Sequence, residues 1–288
     1  MIGMDTLFGL SIGDLVVVID HFMTETAMHA DIVLPPTTFF ERVNILKVQG
    51  RPMITVRNRV LDPPENCMDD AMIWVALAKK MGYGEYFQWG SVEEIIESIL
   101  KPTGLSIEMV REPVSGYQFA DYDIGKYVED GFDTPSGKVE IYSKTMKDHG
   151  YPPLPTYNEP SESPISRPDL AGKYPFILTV GSHVRYFTHS QYRNIPLLRS
   201  KMPEPVVEIN TKTALDKGIS NQDKVIVETP RGSIGLTASV TEDILPGVIS
   251  ILYGWNEANA NVLTDDGSRD PISGFPAFRS LLCNVYKA

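Results

Sequence analysis

The chain has 288 residues, of which 42% are hydrophobic and 22% charged, a composition that supports one large buried core or two ordinary ones, with two the expected number. Its formal net charge of −11, with no block of Lys and Arg to offset it, argues against nucleic acid as a partner, because a phosphate backbone is repelled. No run reaches the ~18 apolar residues that span a bilayer, and Met1 to Leu10 lacks the basic and small-residue features of a secretion signal, so no direct membrane insertion is expected. Cys67 and Cys283 lie too far apart in sequence for a CxxC metal or redox motif.

In chain order, Leu15 to Asp20 (LVVVID) is a continuous apolar run of the kind buried on both faces of a parallel sheet, and Asp31 to Leu34 is a shorter one. Thr24 to Ala30 between them suits a short helix or turn. Asp69 to Met81 has helical spacing, an acidic first turn, basic residues in the last and Gly82 as a stop. Ser91 and Glu94 form a capping-box pattern for a further helix, closed by Pro102. From 103 to 172 the sequence reads as a mostly irregular connector, since prolines 152, 153, 155, 160, 164 and 168 forbid regular structure. Strands are then predicted at Phe176 to Val180, Val206 to Ile209, Lys224 to Glu228, Ser233 to Val240 and Val248 to Leu252, which make a small barrel with an inserted helix ending near Gly218.

Three places carry candidate chemistry. Asp20 ends the first strand, where open α/β sheets place ligand contacts; it is either an acceptor for a ribose or base, or a cap or solvated turn. His21 and His29 beside it read as surface histidines. The segment Val180 to Ser190 joins a strand-end glycine to hydroxyls, two histidines and Arg185. It is either a loop bringing backbone N–H groups and a cation to a polyanion, or a polar loop of no special function. A hydrolase reading of Ser182 or Ser190 is weak, since no GxSxG elbow occurs. The Asn-rich stretch Tyr253 to Thr264 offers amides with paired donors and acceptors for the edge of a heterocycle, with Trp255 as an apolar wall, or else caps a strand.

In order, the segments VVVIDHFMTETAMHADIVLPPTTFFE (16–41), DTPSGKVEIYS (133–143), LTVGSHVRYFTHSQYRN (178–194), PEPVVEINTKTALDKGISNQDKVIVETPRGSI (203–234), LPGVI (245–249) and ANANVLTDDGSRDPISGFPAFRSLLCNV (258–285) resemble the carboxy-terminal part of the molybdopterin oxidoreductase family. That family includes dimethyl sulfoxide reductase and formate dehydrogenases. The resemblance implies an α/β fold class: a partial Rossmann-like domain in 1–102, the connector in 103–172, and a double-psi β-barrel with short helices in 173–288. It implies molybdopterin guanine dinucleotide, carrying molybdenum or tungsten, as cofactor. Asp20, Arg42 and Asp70 would contact the guanosine end of one dinucleotide. Gly181, Ser182, His183, Arg185, His189 and Ser190 would hold pterin and pyrophosphate, with Asn261 and Arg279 as further pterin contacts. Relatives often have Arg where this chain has Ser182, so Arg185 is expected to supply that charge.

Relatives also carry an iron–sulfur CxxCxxxC motif and a metal-ligating Cys, selenocysteine, Ser or Asp upstream of this part, and neither is present in the 288 residues. The expected partner is therefore an amino-terminal portion or catalytic partner of the same oxidoreductase, with an iron–sulfur electron-transfer subunit beside it. On this view the isolated chain is catalytically silent, because the cofactor carries the chemistry and the protein supplies position and electrostatics. The assembly is either cytoplasmic or exported. The competing expectation is a noncatalytic subunit or assembly module that uses the barrel for protein–protein contact.

Overall fold

The LVVVID run forms strand β1 (Val17–Ile19) in a computed structural model that describes residues 15–121, 124–182, 184–187 and 192–288. The chain divides into two units, residues 15–156 and, among the described residues of the other, 157–288. In the first unit β1 pairs in parallel with β2 (Ile32–Leu34), Val17 opposite Ile32 and Ile19 opposite Leu34. Parallel neighbours need a crossover, and here it holds a one-turn helix α1 (Glu25–Met28), capped by Thr24, whose hydroxyl accepts the Ala27 N–H. A parallel bridge from Pro36 to Met68 extends this layer. Helix α2 (Asp70–Lys80) follows at once, its N-cap Asp69 accepting the Ala71 N–H and Lys79 and Lys80 lying at its negative end.

The same unit contains an antiparallel sheet that the apolar pattern did not announce, with β3 (Asn44–Lys47), β4 (Met53–Arg57) and β5 (Tyr117–Gln118) in that order. Its strands are short, and Leu46 is exposed, so alternation is too brief to read. One face is covered by α3 (Val92–Leu100) and α4 (Ile107–Arg111), and Val56, Ile96, Leu100, Ile107 and Val110 form the resulting core. Ser91 Oγ accepts the Glu94 N–H as expected, but the Glu94 carboxylate reaches back to Gly90 instead of Ser91. Pro102 does not end the helical path. It sits inside a 3₁₀ turn, Lys101–Thr103, closed by Gly104 at φ +77°. Helices α5 (Tyr127–Asp130), α6 (Lys144–Asp148) and α7 (Pro168–Ala171) punctuate an otherwise irregular path. The division between units falls within it, at Thr156 and Tyr157.

The second unit is built on a closed six-stranded barrel. Its strands are β6 (Phe176–Ser182), β7 (Val206–Asn210), β8 (Lys224–Glu228), β9 (Ser233–Thr241), β10 (Val248–Leu252) and β11 (Leu281–Lys287), in spatial order β10-β6-β11-β8-β9-β7. Two neighbouring pairs are parallel, β6 with β10 and β7 with β9. Strand β11 is not marked by the apolar pattern and was implied only by the family resemblance, which sets Arg279 before a final strand; it closes the cylinder between β6 and β8. Helix α8 (Pro196–Arg199) lies between β6 and β7. Helix α9 (Thr211–Asp216) follows β7 directly, because Asn210 caps it through the Lys212 N–H while donating to the Ile244 carbonyl. The interior is aliphatic, with Leu178, Val207, Ile209, Val227, Ile249 and Ile251 fully buried. Burial of each such side chain contributes about 1.5–3 kcal/mol.

Truncation of this interior is expected to be costly. Ile251→Ala should lower barrel stability in urea by about 2–5 kcal/mol, whereas Leu215→Ala, on the exposed side of α9, should change it by less than about 0.5 kcal/mol.

Candidate functional site

Parallel pairing of β6 and β10 means that both strands leave the barrel at the same end, Leu252 opposite Ser182. The loops that follow therefore emerge side by side. Gly181 sits at φ +112°, and a β-carbon there would touch the ring of Tyr253 in the other loop at 3.7 Å. Phe187, from the first loop, packs edge-on against Trp255 of the second, with ring centroids 6.3 Å apart. Arg193 donates to the Gly254 carbonyl and lies over the Trp255 ring at 4.7 Å, as does Arg199. Burial, opposed by Glu257 and aided by the like charge of Arg199, pushes the Arg193 guanidinium below its ordinary pKa.

Trp255 is fully buried, so it is an anchor beneath the loops and not the exposed apolar wall expected from sequence. Its indole N–H and the Arg193 Nε are buried with no hydrogen-bond partner among the described residues. Arg185 is exposed on the first loop. Arg279 is exposed as well, one residue after Phe278, whose carbonyl accepts the Val180 N–H at 2.7 Å at this same end. Asn261 lies in the 3₁₀ turn Ala260–Val262, where its backbone N–H is held by the Asn259 side chain. Its own amide side chain is half-buried and makes no hydrogen bond among the described residues. Ser182 is described by its backbone alone, and His183, His189 and Ser190 lie outside the described residues.

The Asn261 turn is held against the β8–β9 hairpin. Thr229 Oγ1 and Arg231 Nε both donate to the Leu263 carbonyl, at 3.1 and 2.9 Å. Gly232 lies so close that a β-carbon would stand 2.6 Å from Val262 Cγ1 and 3.1 Å from the Val262 carbonyl oxygen. Arg231 is in turn gripped bidentately by the buried Glu162, at 2.6 and 3.0 Å. Cys283 lies nearby, and burial, then the Glu162 carboxylate, push its thiol far up, which keeps it a neutral core residue.

In the first unit, Asp20 follows β1. Its backbone N–H donates to Leu34 and its carboxylate accepts the Phe22 N–H, which is the turn-capping role, while His21 and His29 are exposed. Arg42 forms an ion pair with Asp70 at the start of α2. Arg42 lines a cavity of about 680 Å³ together with Glu41, Asn58, Arg59, Asp69 and Arg111. Asp20 and Asp70 are not among its lining residues. The Thr37 hydroxyl and the Nε atoms of Arg42 and Arg111 are buried there without partners among the described residues. Unpaired buried donors of this kind are costly unless a ligand or water accepts from them.

Sequence reasoning missed Arg193, Arg199, Arg231 and Glu162. Only Arg231 carried a local signal, as part of the PRG turn between two predicted strands. The others act across distances that no spacing encodes.

Comparison with known proteins places the barrel and the first strands separately. Residues 176–282 match the family described as Molydopterin dinucleotide binding domain, and residues 6–80 match Molybdopterin oxidoreductase. The chain is 34% identical to acetylene hydratase of Syntrophotalea acetylenica over 98% of its own length and 41% of that protein. It is also 34% identical to the F420-dependent formate dehydrogenase subunit alpha of Methanocaldococcus jannaschii, over 88% of this chain and 36% of that one. Among solved structures, Acetylene Hydratase from Pelobacter acetylenicus superposes with a TM-score of 0.87 at 32% identity, covering 99% of this chain and 42% of the other. The chain thus spans about two fifths of the length of these relatives.

The tight contact beneath the Asn261 turn gives a direct check. Gly232→Ala should destabilise the barrel by about 1–3 kcal/mol in thermal or urea unfolding. Combining it with Val262→Ala should cost less than the sum of the two single changes, because the added methyl then has room.

Proposed function

The chain belongs to the molybdopterin oxidoreductase family and carries its dinucleotide-binding domain, and from that premise we propose that the loops leaving β6 and β10 hold the pterin and pyrophosphate of the cofactor. The observation that carries this reading is the convergence of both loops on one barrel end, with cations and with donors that lack partners among the described residues gathered there. A doubly phosphorylated pterin fits that donor set. The Gly181 backbone leaves space for close approach, Arg185 and Arg279 supply exposed positive charge, and Asn261 presents an amide, without a partner among the described residues, of the right chemistry for a pterin edge. Ser182, His183, His189 and Ser190 belong to the same proposed set. We add Arg193, whose Nε lies at this end without a partner among the described residues.

For the guanosine end of one dinucleotide we propose the first unit, with Arg42, Asp70 and Asp20 as contacts. The cavity beside Arg42 has the volume range of a ligand pocket, and its orphaned donors suit a polar ligand. Asp20 and Asp70 support the reading less directly, since each already has an intramolecular partner. We read the six strands as a double-psi barrel, which the two parallel pairs favour, and the β1–β2 layer with α2 as part of a Rossmann-like domain. The functional division follows as 1–102 for that domain, 103–172 for the connector and 173–288 for the barrel.

When bound, the metal and its pterin supply the two-electron chemistry. The residues of this chain bind, orient and neutralise the ligand's charge, and none acts on substrate. The chain accordingly works as the cofactor-binding, active-site-capping part of a molybdenum or tungsten oxidoreductase, completed by further polypeptide and by an iron–sulfur partner, and it does not turn over substrate alone.

Each charged or polar contact of this type is worth about 1.5–3 kcal/mol, or roughly 10- to 100-fold in affinity. Arg185→Ala and Asn261→Ala should therefore lower the pterin dinucleotide retained after anaerobic purification from a molybdenum-replete host by at least about tenfold, as counted by mass spectrometry of the released cofactor. Leu215→Ala should leave it unchanged. Retention untouched by both loop substitutions would support the noncatalytic assembly module instead.

A further inference from the structure

We infer that Glu162, which lies in neither cofactor loop, is a positioning residue: through Arg231 and the start of β11 it sets the places of both Asn261 and Arg279. The cofactor half of this inference rests on the function proposed above.

The argument is geometric. The Glu162 carboxylate is 7% exposed, and it is the acceptor for two separate pieces of chain. Its Oε2 receives Arg231 Nη1 at 2.6 Å, and its Oε1 receives Arg231 Nη2 at 3.0 Å and the Leu282 N–H at 2.6 Å. Its backbone carbonyl also accepts from Ser280 Oγ at 3.2 Å. Residues 280 and 282 flank the first position of β11, and Arg279 is the residue immediately before them.

With its two terminal nitrogens committed to the carboxylate, Arg231 has its planar head fixed in orientation, and the remaining edge, Nε, points at the Leu263 carbonyl at 2.9 Å. Leu263 caps the Asn261 turn, and its N–H closes that turn on Ala260. A fork held at both ends is a bracket of fixed length. Rotating Arg231 would move the Leu263 carbonyl, and with it the turn that presents the Asn261 amide. The Glu162 end of the bracket is buried while Arg231 is only part-buried, so at the carboxylate solvent is a poor substitute for a lost partner.

Two substitutions separate positioning from bulk stability. Glu162→Gln keeps the side-chain size and the acceptor for Leu282 but removes the charge that orients Arg231. Arg231→Lys keeps an ion pair with Glu162 but cannot also supply the Nε bond to Leu263, and it serves should the first variant fold poorly. In the full chain, amide hydrogen exchange at 261–264 should accelerate at least tenfold in either variant, while the amides of β10 keep their protection. Retained pterin dinucleotide should fall by about tenfold in the same preparations. Exchange at 261–264 within twofold of the parent, or acceleration spread evenly over the barrel, would overturn the inference. So would locally fast exchange with full retention, provided that Asn261→Ala lowers retention. If Asn261→Ala itself leaves retention intact, it is the proposed cofactor contact that fails, and the positioning role falls with it.

Discussion

A closed cylinder of strands has two ends, and any two strands that run parallel within it must hand their following loops to the same one. In this barrel β6 and β10 are such a pair, bonded directly to each other from Val248 opposite Ile177 to Leu252 opposite Ser182. Everything assembled at that end depends on this register. It brings Gly181 to Tyr253, Phe187 to Trp255 and Arg193 to Gly254, although some sixty to seventy residues of chain separate the partners. Antiparallel neighbours in place of this pair would have sent the two loops to opposite ends. Closure adds a second benefit, since it leaves no sheet edge in the barrel for another chain to pair with.

The electrostatics of this end run against those of the whole molecule. A formal charge of −11 repels a polyanion at long range, so binding one requires cations concentrated locally and held away from competing carboxylates. Arg185 and Arg279 are exposed there, and Arg193 and Arg199 stand over the buried Trp255 ring at 4.7 Å. The indole face attracts both guanidiniums, which otherwise repel each other. Glu257 balances one of them through its contact with Arg199 at 3.6 Å. The arrangement keeps Arg193 part-buried with its Nε–H lacking a partner among the described residues, a costly state that an acceptor would relieve.

The first unit solves a different problem with smaller parts. Two short sheets, of two and three strands, have too little area to be stable alone. The three-stranded one gains its core from α3 and α4. The two-stranded one ends in a row of turns where Asp20, Thr37 and the start of α2 meet, with the His21 ring bonded to the Thr37 carbonyl at 3.2 Å. Strand ends and a helix N-terminus in one place form the usual ligand-facing edge of parallel α/β layers.

What the amino-acid sequence determined by itself was local in origin. The apolar runs and alternating segments gave β1, β2 and five of the six barrel strands nearly to the residue, although β1 and β2 are not buried on both faces as their continuous apolar runs suggest, since Val17 and Ile32 are exposed. The cap at Ser91 was legible because a cap bonds within three residues, and the stretches beginning at Thr24 and Asp69 were placed as helices whose first residues the structure shows to be caps. Strand β11 was legible only through the family resemblance, because LLCNVYK has neither clean alternation nor turn signals that set it apart, and its place between β6 and β8 is what makes it a strand. The hairpin of β3 and β4 escaped for the same reason, its apolar face being completed by helices forty and more residues away. Among the site residues, Gly181, Arg185, Asn261 and Arg279 were named from their motifs. Arg193, Trp255 in its buried role, and the Glu162–Arg231 bracket were decided by tertiary structure alone, because each works through a partner that the chain reaches only after the barrel has closed.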